Sequence, residues 1–86
     1  MRKSDKEKVL AFIDELADYL EEHDVVDAKE MVDHNESMIA IENICSQLYE
    51  YGGVISSELY DKILHITSEW GIDEKYRRCL NELVDS

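Results

Sequence analysis

Residues 34–53, HNESMIAIENICSQLYEYGG, decide the fold class of this chain. The stretch opens with polar residues, closes on a double glycine, and carries apolar side chains at helical spacing between those ends. At about 100° per residue, these side chains fall within one arc of a helix. Glycine commonly follows the last turn of a helix, so the stretch predicts a helix over about 36–51. The predicted buried arc consists of Met38, Ile41, Ile44, Cys45 and Leu48.

Two helical segments precede this stretch. Ser4 and Glu7 have the spacing of a capping box, and apolar residues after them recur at helical spacing over about 5–22. The pair His23-Asp24 breaks this pattern. A shorter helix is predicted over about 25–33.

Two further helices follow the double glycine. Ser56 or Ser57 can cap a helix over about 57–70 that Gly71 ends, and Asp73 can cap a last helix. No segment alternates convincingly with period two, and the 86 residues include no proline and only three glycines, which favours helices over β-structure. We therefore predict an all-α fold: a compact bundle of four to five short helices, forming a single domain over residues 1–86.

The charge of the chain excludes several classes of partner. With 21 acidic and 9 basic residues, the formal net charge is −12, so the chain would repel the nucleic acid backbone and anionic membrane surfaces. We expect no nucleic acid and no membrane among its partners, and a basic protein is the natural complement. No apolar run approaches the roughly 20 residues that a membrane span needs, and no signal peptide is evident. The sequence thus predicts a soluble, cytoplasmic protein.

The acidity is concentrated in one part of the chain. Residues 9–61 contain 14 acidic side chains and one basic residue, Lys29. On the predicted first helix, the acidic residues lie opposite the apolar stripe, where like charges four residues apart cost a few tenths of a kcal/mol each. This pattern predicts a surface shaped to meet a cationic partner, although a charged helix face can also be simply hydrated. The residues concerned are Asp14, Glu15, Asp18, Glu21 and Glu22.

The predicted third helix carries one apolar residue on its polar side. Ile39 projects among Glu42, Asn43, Ser46 and Glu50, as an interface anchor inside a polar rim would. The alternative is that the short second helix covers it.

Three tyrosines flank these surfaces. We predict that Tyr19, Tyr49 and Tyr51 are half-buried at the edge of the core; the alternative is that they are hot spots of an interface.

The sequence carries no recognisable catalytic or cofactor chemistry. None of the three histidines has a cysteine or serine at a suggestive spacing, and no phosphate loop or metalloprotease motif is present. Cys45 and Cys79 are predicted to be free thiols that face the core; the alternative is a single disulfide between them. The run of Asp24, Asp27, Glu30 and Asp33 lacks the glycine turn and ligand spacing of a calcium loop. We therefore expect no catalytic residue, no metal site, no cofactor and no enzymatic activity.

Residues 36–63, ESMIAIENICSQLYEYGGVISSELYDKI, resemble the central segment of the MafI-like immunity proteins, which include some immunity proteins of contact-dependent growth inhibition systems. The shared pattern has a glutamate, an A-x-E-x-L core, a QLYE-like end, a short loop and a helix that opens with serine or threonine and glutamate. Where that family often has a glycine after the first glutamate, this chain has Ser37 and Met38. The resemblance covers about a third of the chain. The matching positions are Glu36, Ala40, Glu42, Ile44, residues 47–50 and residues 56–58.

The resemblance implies a bacterial protein that acts by binding. Immunity proteins of this kind neutralise the C-terminal domain of a polymorphic or contact-dependent toxin, commonly an RNase or DNase. We therefore expect one-to-one inhibition of a cognate basic toxin domain. From helical geometry, the predicted partner-binding residues are Asp14, Asp18, Glu21 and Glu22 for steering, with Ile39, Glu42 and Glu50 nearer the contact.

Two other functions fit the same sequence. The chain could be a non-enzymatic helical adaptor, for which an exposed apolar groove and binding that is insensitive to salt would be typical. It could also mimic nucleic acid and block a DNA-binding protein, in which case its carboxylates would be spaced like phosphates.

Overall fold

The computed structural model describes residues 3–51 and 53–84, with side chains from Asp5 onward within those ranges. These residues form five α-helices and two short 3-10 helices, one following α1 and one following α5. The all-α prediction is confirmed, as is the compact bundle of short helices. The α-helices are α1 (Lys3–Leu16), α2 (Glu22–Asp33), α3 (Ser37–Tyr51), α4 (Ser57–Glu69) and α5 (Glu74–Leu80), and the 3-10 helices are Ala17–Tyr19 and Asn81–Leu83.

Local capping explains where the later helices begin and end. The Ser56 hydroxyl accepts a hydrogen bond from the backbone N–H of Leu59 at 3.1 Å, which places the start of α4 as predicted. The Asp73 carboxylate caps α5 in the same way. After α4, Gly71 adopts a φ of 65°, a conformation that glycine tolerates without strain. The predicted cap Ser4 already lies inside α1, and its side chain is outside the described residues.

The core forms around α3, which packs against α1, α2 and α5. The buried side of α3 includes two small residues, Ser37 and Ala40, that let neighbouring helices approach closely. The loop after α3 adds Ile55, which donates a backbone hydrogen bond to Leu83 at 2.9 Å and holds the C-terminal turn against the bundle. The buried apolar residues include Val9, Ile13, Leu16, Val32, Ile41, Ile44, Leu48, Ile63 and Leu80.

The first helix ends earlier than predicted. We expected it to run to residue 22 and to break at His23-Asp24, but α1 ends at Leu16 and the break lies at Leu20 and Glu21, which are extended. A continuous helix would have placed several carboxylates at its negative C-terminal end. The observed break instead puts Glu22 and Asp24 in the first turn of α2, where the helix dipole stabilises each by about 0.3–1 kcal/mol.

Several burial predictions also fail. Met38 was expected in the buried arc of α3 but is 45% exposed, because the arc is shifted toward Ser37 and Ala40. Tyr19, Tyr49 and Tyr51 are exposed rather than half-buried. Cys45 is buried as predicted, whereas Cys79 is exposed; both are free thiols.

None of the helices in the described residues is both long and apolar enough to cross a bilayer.

Candidate functional site

The candidate site is the outer surface of α2 and α3, which run antiparallel. The start of α2 meets the end of α3 where the Tyr51 hydroxyl donates a hydrogen bond to Asp24. Further along the pair, the Asn43 amide lies 3.5 Å from the Met31 sulfur. Two helices fixed side by side in this way present their outward side chains as one surface.

We call this surface the acidic face and define it by the exposed or half-buried side chains that α2 and α3 turn away from the core. Among the described residues, none of its carboxylates forms an ion pair with a lysine or arginine. Unpaired carboxylates at a surface keep their full negative potential, screened only by water and salt. The acidic face comprises Asp27, Glu30, Glu42 and Glu50, with the apolar residues Val26 and Ile39 and the amide residues Asn43 and Gln47.

Ile39 is exposed on the acidic face. Its exposed fraction is 45%, so α2 does not cover it, and the neighbouring Met38 is equally exposed. Exposed aliphatic side chains surrounded by polar groups are the usual composition of a small interface anchor and its rim. The prediction that Ile39 projects to solvent is confirmed; its role in binding remains a prediction.

The first helix, α1, differs from the acidic face, because lysines of the same chain neutralise part of its acidic surface. The Asp14 carboxylate lies 2.6 Å from the Lys29 ammonium of α2. Glu15 likewise lies 3.1 Å from Lys62 of α4. Both pairs are largely exposed and contribute little to stability, but they reduce the negative potential that α1 can present to a partner.

Three predicted steering residues do not lie on the first helix at all. Asp18 is in the 3-10 helix, Glu21 is the N-cap of α2, and Glu22 is the first residue of α2. The expected stripe of acidic residues along one helix is therefore wrong, because the chain changes direction at Leu20 and Glu21. All three side chains are nevertheless exposed.

A hydrogen-bond network joins the ends of α2 and α3. Asp24 is only 8% exposed, and it contacts both the Tyr51 hydroxyl and the His23 ring, whose Nε2 is 3.3 Å away. The hydrogen bond to Asp24, with smaller contributions from burial and from the charges of Asp24, Glu21 and Glu50, raises the pKa of Tyr51 to about 12. The structure thus brings Glu21 and Glu50, predicted separately from different segments, close to one hydroxyl.

The same network contains atoms that could hold a cation. Glu21, His23 and Asp24 each offer one ligand atom, and these atoms lie within 4.8 Å of one another. The contacts of His23 with both carboxylates, and the Tyr51 hydrogen bond, account for this arrangement without a metal ion.

The cysteines offer no activated nucleophile in the core. Burial, and then the negative charge of Glu42, raise the pKa of Cys45 to about 12, so its thiol stays protonated at neutral pH. Cys79 lies at the edge of a groove between α3 and α5, of about 430 Å³, which Tyr49 and Tyr76 also line.

Sequence reasoning missed a cleft between α2 and α3. It has a volume of about 60 Å³ and a polar lining on an apolar floor. The sequence contained a signal for its buried carboxylate: Asp24, Ala28 and Val32 are spaced four apart and all are buried, but a helix predicted to begin at residue 25 leaves Asp24 out. The lining residues are Asp24, Asp27, Asn43 and Gln47, with Ala28, Met31 and Ile44 below them.

No protein-family model, no curated protein and no solved structure matches this chain. The interpretation of the acidic face therefore depends on its residues and their geometry. The resemblance to immunity proteins remains a prediction.

Proposed function

We propose that this chain is an immunity protein that binds a cognate toxin domain and neutralises it by one-to-one occlusion. The proposed toxin domain is basic, which complements the net charge of this chain. It is a nuclease, as the resemblance of residues 36–63 to MafI-like immunity proteins implies. The proposal places the contact on the acidic face of α2 and α3. It places no catalysis and no cofactor in this chain.

One observation carries the proposal. The chain has a net charge of −12, and the carboxylates of the acidic face lack a lysine or arginine partner among the described residues, whereas those of α1 are partly paired. Unpaired surface carboxylates raise the rate at which a cationic partner is encountered, by roughly 10-fold to 1,000-fold in favourable cases. Such a surface suits a protein that must capture a toxin before the toxin reaches nucleic acid.

The apolar residues of the acidic face supply binding affinity, which charge alone does not. Steering by charge changes association rates more than it changes affinity, which depends on a few well-packed residues near the centre of an interface. Ile39, 45% exposed and surrounded by Glu42 and Asn43, is the residue best suited to that role. We therefore assign steering to the carboxylates and anchoring to Ile39.

The partner-binding residues predicted from the sequence take different roles in this proposal. Ile39, Glu42 and Glu50 stay in the proposed contact, and Glu21 and Glu22 stay at its edge near the start of α2. Asp14 is the weakest of the original choices because Lys29 already neutralises it. Asp18 stays in the proposal for long-range steering only.

Co-expression tests the function directly. If the gene beside that of this chain encodes a secreted protein with a basic C-terminal domain, that domain would be produced in a sensitive cell, with and without this chain. We expect this chain to restore growth and to co-purify with the toxin domain in a one-to-one ratio. Failure of both in cells that contain soluble, folded chain would contradict the proposed function.

The salt dependence of binding separates this function from the helical adaptor. Capture by the acidic face predicts that the association rate falls steeply as salt rises, since screening weakens the attraction between exposed charges. An adaptor that binds a helix in an apolar groove would keep its association rate as salt rises. A nucleic-acid mimic would bind unrelated DNA-binding proteins as well as the toxin, which a panel of basic proteins would reveal.

A further inference from the structure

The cleft between α2 and α3 has the chemistry of a receptor for one cationic side chain. Its walls carry two carboxylates, Asp24 and Asp27, and two amides, Asn43 and Gln47. None of the lysines or arginines of the chain lines it, in the part of the chain that the structure describes. A cavity with this lining lowers the energy of a positive charge that enters it.

The acceptors inside the cleft are not all used by the protein itself. The carboxylate of Asp24 already has partners in the chain, because it contacts Tyr51 and His23, and Asp24 is more than nine-tenths buried. Asp27 and the half-buried Gln47 have no hydrogen bond or ion pair to a described residue, and the Asn43 amide contacts only the Met31 sulfur at 3.5 Å. Asp27 and the amide oxygens of Asn43 and Gln47 therefore remain free to accept hydrogen bonds.

The size of the cleft limits its occupant to a small group. A water molecule needs roughly 10–15 Å³ of such volume, so about 60 Å³ admits a few waters or one planar head group. A guanidinium group presents five N–H donors in a plane and pairs with a carboxylate through two parallel hydrogen bonds. An ammonium group lacks this planar fork and would leave more of the acceptors unused.

We propose that this cleft receives the guanidinium group of an arginine side chain from the basic partner, with Asp27 as the paired carboxylate and Asn43 and Gln47 as further acceptors. This inference rests on the proposed function, because it names the chemistry by which the acidic face recognises its partner. Asp24, which also lines the cleft, adds a second, buried negative charge. Ile39 lies one helical turn before Asn43, so the apolar anchor and the arginine site are adjacent.

A small probe tests the cleft without the toxin domain. N-acetyl-arginine amide carries one guanidinium group, and N-acetyl-citrulline amide has the same shape with a neutral urea group. Titration of each into the ¹⁵N-labelled chain would be followed through the side-chain NH₂ signals of Asn43 and Gln47. We expect those signals to shift and saturate with the arginine probe, and the citrulline probe to bind at least about tenfold more weakly, because it loses the charge-assisted hydrogen bonds.

A matched pair of variants locates the effect. Asp27→Asn removes one of the two carboxylates of the cleft, and Asp33→Asn removes one charge of the same helix outside both the cleft and the acidic face. Asp27→Asn is expected to weaken binding of the arginine probe about tenfold, and Asp33→Asn by less than about twofold, because charge outside the cleft acts only through solvent. Equal effects of the two variants, or equal binding of the two probes, would overturn the inference.

These outcomes are distinct from those of the proposed function. Saturable arginine binding in a chain that fails to protect cells from the toxin would remove the function and keep the site. Protection that survives Asp27→Asn unchanged, with no response of Asn43 and Gln47 to the arginine probe, would remove the site and keep the function.

Discussion

Two charged surfaces of this molecule behave differently. Along the groove between α1 and α4, of about 440 Å³, charges face partners of the same chain: Glu15 lies 3.1 Å from Lys62, and Glu69 lies 2.8 Å from His65. On the acidic face of α2 and α3, the carboxylates have no such partner among the described residues. Both surfaces are rich in charge, but the first also contains lysines, and one of them pairs with Glu15, whereas the second carries carboxylates without a lysine or arginine partner among the described residues.

This difference shows why net charge is an incomplete guide to a binding surface. A count along the chain gives the excess of acidic residues, but tertiary packing decides which of them are neutralised. Two lysines from different helices neutralise carboxylates of α1. Lys29 of α2 pairs with Asp14, and Lys62 of α4 pairs with Glu15. For this reason the steering part of the proposed contact moves from α1 to α2, while the predicted residues of α3 stay in the contact.

Charge reversal should give the largest effect: it should slow association with the toxin domain much more on the acidic face than on the α1–α4 surface. Glu30→Lys with Glu50→Lys on the acidic face should slow association with the toxin domain by roughly tenfold to a hundredfold at low salt, because it removes electrostatic steering. The matched change on the other surface, Asp61→Lys with Glu69→Lys, alters the net charge equally and should slow association by less than about threefold. Stopped-flow fluorescence would measure both rates. Equal slowing by the two pairs would mean that only net charge matters.

Removal of the apolar anchor should have the next largest effect. Ile39→Ala should raise the dissociation constant by about tenfold or more, mainly through faster dissociation, if Ile39 is an interface anchor. Val54→Ala is the control, since Val54 is 66% exposed and lies in the loop after α3. Isothermal titration calorimetry and surface plasmon resonance would compare the two. An unchanged dissociation rate in Ile39→Ala would place the anchor elsewhere.

The sequence predicts the helical content well because periodicity and capping are local properties. Ser56, Asp73 and Gly71 act within a few residues of their own positions, and α4 and α5 begin where those residues place them. Ile39 could be predicted to project outward for the same reason.

The break after α1 and the ion pairs could not be predicted so well. The break at Leu20 and Glu21 reflects a balance between helix continuity and the placement of carboxylates relative to helix dipoles. The pairing of Asp14 with Lys29 and the burial of Asp24 beneath Tyr51 join residues that are 15 or more positions apart. Such contacts depend on how the helices pack, and periodicity within one helix carries no information about them.

The network at the end of the acidic face should be visible in a pH titration. The hydrogen bond to Asp24 raises the pKa of Tyr51 from 10.0 to about 12, so the folded state favours the protonated hydroxyl. Its contribution to stability is complete below pH 10 and is lost as pH rises from 10 toward 12. The difference in tyrosinate absorbance between the wild type and Tyr51→Phe isolates this group. A midpoint near 10 would contradict the hydrogen bond.

The ion pair between Asp14 of α1 and Lys29 of α2 should have the smallest effect, a minor contribution to the free energy of unfolding. Asp14→Asn and Lys29→Gln, combined in a double-mutant cycle of unfolding by urea, should show a coupling of about 0.2–1 kcal/mol, because the pair is largely exposed. A control cycle of Asp18→Asn with Lys29→Gln should show none, since Asp18 makes no ion pair among the described residues. Similar coupling in both cycles would mean that Lys29 acts through the general field of the helix.

The central claim is that the acidic face of α2 and α3 is the surface that meets a basic toxin domain. Hydrogen–deuterium exchange of this chain, alone and in a one-to-one mixture with that domain, tests it most directly. We predict new protection in α2 and α3 around Asp27 and Ile39, which weakens as salt is raised. Protection confined to the α1–α4 groove around Phe12 and Ile66, with no dependence on salt, would contradict the claim.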